Sequence, residues 1–467
     1  MAEGRAGHGE AAPGDHLQTG YQLWLVGHQL EHARAPWRDP YSFQPEVKPR
    51  WNLAGWPFGL VYWPLKRAFG TVVGWNLFVL LGFVGAGGFA ALWLRQLGLR
   101  RGAALTGGLA FSLGPYLQAQ WSAGHLLAWI AMLLPLALYG LERARRGSAW
   151  WLLLAGAALA SIPLSGQLHL ALGAIPFFAL YALVRSRWAL ALVLPALVAG
   201  FLANFAVVRG TTGASGRSFG QVEHYSADVP DFLSRNQHEL EGIVYLGWSV
   251  LFLAAAGLAV LLAQRRWGLS LTLGLGALVP VLFALGANLP GYETLWRHLP
   301  GLRQTRVPER LMPIACLALA ALLAIAVSRM NWPGTAAIVA VLLLFDLHLG
   351  LFHATAADEH NRAYAALSAE PAGPPLVELP VLLPEDQRAS VYLYYLMQAP
   401  RPHPSGYSTT APLAADAAIR KLQRAPCPVV PGTRYIATHF GRGNACGGRL
   451  LAREGPITVF RSGVVTG

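Results

Sequence analysis

Three groups of polar residues stand out in a chain that is otherwise apolar. The first lies in "GDHLQTGYQLWLVGHQLEHARAPWRDPYSFQPE", residues 14–46, which carries Asp15, Asp39, three His and several aromatics. The second, "GLRQTRVPER" at 301–310, gathers Arg303, Arg306 and Arg310, with Arg297 and His298 just upstream. The third is the segment 209–242, with Glu223, His224, Asp228, Asp231, His238, Glu239 and Glu241. Each set suggests its own chemistry. A carboxylate such as Asp15 could act as a general base or ligate a divalent cation, Mg or Mn. Clustered guanidinium groups bind phosphate oxygens in bidentate fashion. Mixed His and carboxylates could hold the same cation or line a polar pocket.

A plainer role stands beside each of these. "LQTGYQLWLVGHQLEH" (17–32) sets Leu17, Tyr21, Trp24, Leu25 and Gln29 at helical spacing, which predicts an amphipathic helix lying on a membrane surface. Asp15 would then stand just before that helix, where it could serve only as an N-cap. The arginines could touch anionic headgroups loosely or pair with Glu309. "ADVPDFL" reads as a helix start, with Asp228 capping and Pro230 in the first turn. That leaves Glu223 and His224 as the candidates of the third set. His125 and His169, on short turns, are read as structural.

The elements that must position these residues are membrane helices. The chain has 467 residues, 54% hydrophobic and 13% charged, with mean hydropathy +0.40. A soluble domain carries about 25% charged residues. Apolar runs fall at 71–94, 103–120, 126–141, 150–165, 168–184, 189–208, 243–263, 269–287, 311–328 and 335–352, or about ten spans at roughly 19 residues per window. The net charge of +13 is spread over short clusters between those runs rather than along one basic face, which argues against nucleic acid as a partner.

The clusters "RQLGLRR" (95–101), "ERARRG" (142–147), "RSR" (185–187), "QRR" (264–266) and "SRMN" (328–331) are separated by even numbers of crossings. The positive-inside rule makes them cytoplasmic. The opening stretch, the segments 209–242 and 288–310, and the tail from 353 then lie outside. An outside N-terminus with no preceding span has no evident way across the membrane. This points to a further helix ahead of Met1, with direct export of a short tail as the alternative.

The tail changes character. "PPLVELPVLLPED" and "RYIATHF…GRLLAREGPITVFRS" alternate like strands, and "AADAAIRKLQRA" (414–425) reads as a helix. The expected organisation is a first external loop (1–70), a transmembrane helical domain (71–352) and a small external α+β domain (353–467). Cys427 and Cys446 fall in that domain, where a disulfide can form, and Cys316 is buried packing within a span. "GAGG" (85–88) allows close helix contact, and CxxC, GxSxG and HExxH motifs do not occur.

The opening stretch, followed by "GWPFGLVYWPLKRAFG", resembles the first external loop of GT-C superfamily glycosyltransferases. "HYSADVPDFLSRNQHELEGIVYLGWSVLFLA" (224–254) and "LPGLRQTRVPERLMPIACLALA" (299–320) are similar to segments of the bacterial YfhO-type members. The resemblance covers most of the chain. It implies an all-α polytopic membrane protein with an extracytoplasmic α+β domain, sitting in a bacterial plasma membrane among its lipids. It also implies transfer of a sugar from a polyprenyl-phosphate donor to an envelope acceptor, whether glycan, lipid or protein. Asp15 takes the position of the superfamily's first-loop acid, with Asp39 as second choice, and Arg303, Arg306 and Arg310 that of donor-phosphate ligands. A transporter or flippase of lipid-linked glycans, which would bury ionisable residues mid-span, is the alternative. A non-catalytic envelope scaffold is another.

Overall fold

The computed structural model describes residues 1–6, 9–45, 48, 50–214, 216–235, 242–299, 301–442 and 446–463. The chain divides into two compact units. Unit 1 comprises Met1–Phe78, Phe205–Ser215 and His353–Gly467, and unit 2 comprises Val79–Asn204 and Gly216–Phe352. The opening stretch and the tail, far apart in sequence, thus belong to one unit.

Unit 2 is built of apolar helices around one buried centre. The helix Pro308–Arg329 has 94% of its apolar window buried, and packs against Trp248–Ala263, Trp267–Ala284 and Arg101–Ser112. Its neighbours come close because Gly257 has no side chain. A Cβ there would collide with the Leu322 carbonyl oxygen. Peripheral helices instead point apolar side chains outward. Arg187–Val208 is only 17% buried and exposes Leu194, Leu197 and Phe201, as lipid-facing helices do. At the Arg-rich end, buried Glu142 accepts from Tyr181 at 2.7 Å and from Arg185 at 2.6 Å.

Among the described residues, six helices are long and apolar enough to cross a bilayer: Gly59–Gln96, Leu127–Arg146, Leu168–Arg185, Arg187–Val208, Trp267–Ala284 and Pro308–Arg329. Three shorter apolar helices, Trp151–Leu164, Trp248–Ala263 and Thr335–Leu347, fill further runs read from the sequence. The chain is a multi-pass membrane protein. One run differs from expectation. The span expected over 103–120 is two helices, Arg101–Ser112 and Pro115–Ala123, because Pro115 starts a new helix and offers no N–H to continue the old one.

In unit 1 the strands expected in the tail form a four-stranded sheet. Leu376–Leu379 pairs in parallel with Tyr435–Thr438, which pairs antiparallel with Ile457–Arg461, and that strand with Arg449–Glu454. The expected helix is Leu413–Gln423. Cys427 and Cys446 are disulfide-bonded, with Cα atoms 5.5 Å apart. The long helix from Gly59 breaks at Gly70, whose φ of 80° suits glycine, and Glu359 accepts from the freed Thr71 and Val72 N–H groups.

The interior of this unit holds a fully buried polar chain. Glu10 accepts from Phe440 N–H and faces His439 Nδ1 at 3.0 Å. His439 Nε2 lies 2.9 Å from the Tyr364 hydroxyl, which donates to Glu378 at 3.0 Å, and Glu378 meets His403 Nδ1 at 2.6 Å.

The opening helix runs from Asp15 to Glu31. It departs from expectation in one respect. Eleven of its side chains are buried, on nearly every side, so it is a core element rather than an amphipathic surface helix. The reason is a partner the sequence did not disclose, the helix Ala389–Leu396, which packs along it.

Candidate functional site

The candidate residues fall into two groups, one in each unit. In unit 1, Gly14 occupies the cap position of the opening helix, and its N–H donates to Ser390 Oγ at 3.1 Å. A Cβ at Gly14 would lie 2.5 Å from the His16 ring, so the tight entry needs glycine. Asp15 is therefore the first residue of the helix and not its cap. Its half-buried carboxylate accepts from the Tyr407 hydroxyl at 2.8 Å.

Asp39 is placed differently. It is 5% exposed and accepts from Tyr21 Oη at 2.8 Å, Tyr41 N at 3.0 Å, Ser42 N at 3.1 Å and Ser42 Oγ at 2.6 Å. Four donors saturate a carboxylate's usual acceptor sites. Asp39 thus pins the turn after the helix, and Asp15 is the more available of the two.

Histidines flank this group. Burial pushes His16 down to about 4, and its Nε2 has no hydrogen-bond partner. His28 stacks on Trp24 at 4.4 Å and meets Tyr41 Oη at 2.8 Å. Burial, then His32, Arg34 and Lys66, push it down to about 4 as well. Both rings are neutral when folded at pH 7, whereas an unfolded His titrates near 6.5. The unfolded chain then binds more protons between about pH 6.5 and 4. Stability is complete above that window and falls as pH drops through it, by up to about 1 kcal/mol per pH unit for His16 and less for the partly exposed His28. Thermal unfolding of the solubilised protein between pH 7.5 and 4.5 checks this. His16→Phe should flatten the slope.

In unit 2, the loop 301–310 is anchored before it reaches its arginines. Gly301, at φ 87°, starts a turn that buries Leu302 against Val222, Tyr292 and Trp296, and Trp296 Nε1 donates to Thr305 O at 3.0 Å. The Arg303 carbonyl accepts from Arg217 N–H at 3.1 Å, and its side chain lies against Gly216. Arg306 stands over the Tyr225 ring at 5.4 Å. Arg310 sits in the turn Pro308–Leu311 that leads into the central helix.

The arginines converge. Arg217, half-buried, has its proton affinity lowered first by burial and then by the nearby charges of Arg306 and Arg310. His169 Nε2 lies 3.3 Å from Gln304 O, within the field of all three. Arg217, Arg306 and Arg310 thus lie within reach of one another's charge, a concentration of guanidinium groups suited to an anion.

Of the third set, Glu223 and His224 are exposed at the end of the helix Phe219–His224. His224 packs edge-on to Tyr225 at 4.7 Å, which puts it at the same ring as Arg306. Asp228 and Asp231 form a capping box at Val229–Phe232, as their sequence suggested. His238, Glu239 and Glu241 lie outside the described residues. Among the described residues, no group of three His, Cys, Asp or Glu is placed to hold a metal ion.

One member of this cluster, Arg217, was not singled out from sequence, and another, His169, was read as structural. Arg217 carries the same signal as the 301–310 arginines, a positive charge in a segment the sequence reading places outside, but stands alone in "ASGRSFG". His169 looked like an ordinary turn residue. Its neighbours are 135 residues away.

No family model matches the chain, and a search of curated proteins finds no match. Solved structures do match. The arabinofuranosyltransferase AftD from mycobacteria superposes over 93% of this chain with TM-score 0.50 at 16% identity, and its R1389S variant over 92% with TM-score 0.52 at 17% identity. The chain spans little more than a third of those proteins, 36% and 37%. ArnT from Cupriavidus metallidurans, in a structure bound to undecaprenyl phosphate, superposes over 97% of this chain and 94% of its own, with TM-score 0.45 at 13% identity. The fold is that of the GT-C glycosyltransferases.

Proposed function

We propose that this protein is a membrane glycosyltransferase that takes a sugar from a polyprenyl-phosphate donor and delivers it to an acceptor outside the cytoplasm. One observation carries the reading. Arg217, Arg306 and Arg310, with His169, are gathered into one half-buried cluster at the start of the central helix. Nothing in helix packing asks for three neighbouring guanidinium groups. A lipid phosphate would relieve their repulsion and accept their hydrogen bonds.

In this reading the arginines hold the phosphate that becomes the leaving group, and Arg303 lies at the rim. Asp15, in unit 1, is a separate candidate, for taking a proton from an acceptor hydroxyl or orienting it. His224 and Glu223, exposed at Tyr225, are candidates for sugar contact. The site lies on the outer face, where a nucleotide-linked donor does not occur.

Binding of undecaprenyl phosphate to the solubilised protein tests the proposal. Arg306→Ala and Arg310→Ala should each weaken it about tenfold or more, since a hydrogen bond to a charged group is worth about 1.5–3 kcal/mol. Arg187→Ala, in a cytoplasmic cluster, should leave it unchanged. Equal binding by all three variants would remove the phosphate role from this cluster.

A further inference from the structure

We propose that Tyr407 is the positioning residue for Asp15, and that the tail segment 403–407 is therefore part of the opening helix's site. This deepens the transferase reading and rests on it for the meaning of Asp15.

The tyrosine is gripped at two points by one helix face. Its hydroxyl donates to Asp15 Oδ1 at 2.8 Å, and its carbonyl oxygen accepts from Gln18 Nε2 at 2.6 Å. Residues 15 and 18 are neighbours on a helix surface. The two ends of the pair are 392 residues apart in sequence, so no local propensity brings them together.

The segment leading to Tyr407 is held on both sides. Phe43 N–H donates to Ser405 O at 3.1 Å, Gln44 N–H to His403 O at 2.8 Å, and His403 N–H to Tyr41 O at 2.9 Å. A Cβ at Gly406 would fall 2.5 Å from the Phe43 ring, so this approach requires glycine. His403 is locked by buried Glu378 at 2.6 Å, and Ser408 N–H donates to Pro384 O at 2.8 Å. The phenol is delivered to Asp15 by fixed backbone rather than by a free rotamer.

A hydroxyl donating to a carboxylate favours its ionised form. His16, beside Asp15 on its own helix, feels both that carboxylate and the chain's amino terminus, and Tyr394 and Tyr395 lie on the helix packed along it. Arg388, at the start of that helix, is taken up by Asp386.

Isotope-edited infrared titration of the full chain in detergent, with aspartate labelled at the side-chain carboxyl carbon, reports Asp15 as the band lost in Asp15→Asn. In Tyr407→Phe that band is expected to titrate about one pH unit higher than in the parent. A residue that merely packed there would not move it, and an unchanged titration overturns the inference. If Tyr407→Phe fails to fold, 3-fluorotyrosine at position 407 keeps the ring and makes a stronger donor. The Asp15 titration should then move down, and no movement overturns the inference. Neither readout uses a sugar. A fully active Asp15→Asn would refute the catalytic role of Asp15, while the titration alone decides whether Tyr407 holds it.

Discussion

Asp15→Asn is expected to lower sugar transfer about 10²–10⁴-fold while leaving folding nearly intact. The structure sharpens this expectation, because Gly14 holds the cap position and its N–H donates to Ser390 Oγ. What Asp15 adds to helix stability is a charge in the first turn, worth roughly 0.3–1 kcal/mol. Asn keeps an oxygen that can accept from Tyr407. The substitution therefore removes the ionisable group while keeping an acceptor for Tyr407. Asp39→Asn is the control with the opposite profile. Ser42 Oγ, Tyr21 Oη and two backbone N–H groups all converge on that carboxylate, and an amide cannot accept from both sides. Asp39→Asn should lower the unfolding temperature. Transfer at the parent's rate by a well-folded Asp15→Asn protein would leave Asp15 a structural residue.

Apolar runs made most of the membrane helices legible, because a span must satisfy its backbone internally and announces itself by length. The tail strands were legible through alternation and Pro/Gly punctuation. What stayed hidden was long-range. The opening helix reads as amphipathic only if Ala389–Leu396 is not packed against it. Asp15 was visible by residue type and place, but Tyr407 carries no signal in "SGYST". The 301–310 arginines stood out because they cluster in sequence. Arg217 is tied to them by a backbone bond to Arg303, a contact with no mark in the sequence. A residue whose role depends on one distant contact has no periodicity to betray it.

The largest stability effects should come from the buried chain Glu10–His439–Tyr364–Glu378–His403, whose members are all 0% exposed. Glu10→Ala would leave His439 Nδ1 and Phe440 N–H without their acceptor, at a cost of about 3–5 kcal/mol. The directions of the bonds yield a finer prediction. Burial and then the Glu378 charge push the Tyr364 phenol well above its ordinary range, so it donates to Glu378. It then accepts from His439 Nε2–H, while Nδ1–H serves Glu10, in the arrangement that leaves both glutamates as acceptors.

Either glutamate alone can become Gln if one His439 nitrogen acts as acceptor instead of donor. In Glu10→Gln, Phe440 N–H fixes the amide oxygen, the amide NH₂ faces Nδ1, and Nε2–H still serves Tyr364. In Glu378→Gln, the amide NH₂ donates to Tyr364, whose hydroxyl turns to Nε2, and the amide oxygen keeps His403 Nδ1–H. Each arrangement keeps every bond along the chain and leaves over one amide N–H of the new Gln. Together they fail, because they ask both nitrogens of His439 to accept and a neutral imidazole offers only one lone pair. Turning round the amide introduced by Glu378→Gln does not help, since it would force a proton onto His403 Nε2, which is buried with no partner. The double variant should therefore be less stable than the sum of the singles by about 1–3 kcal/mol. Additive unfolding free energies in this four-member cycle would show that His439 is not the shared hinge of the chain.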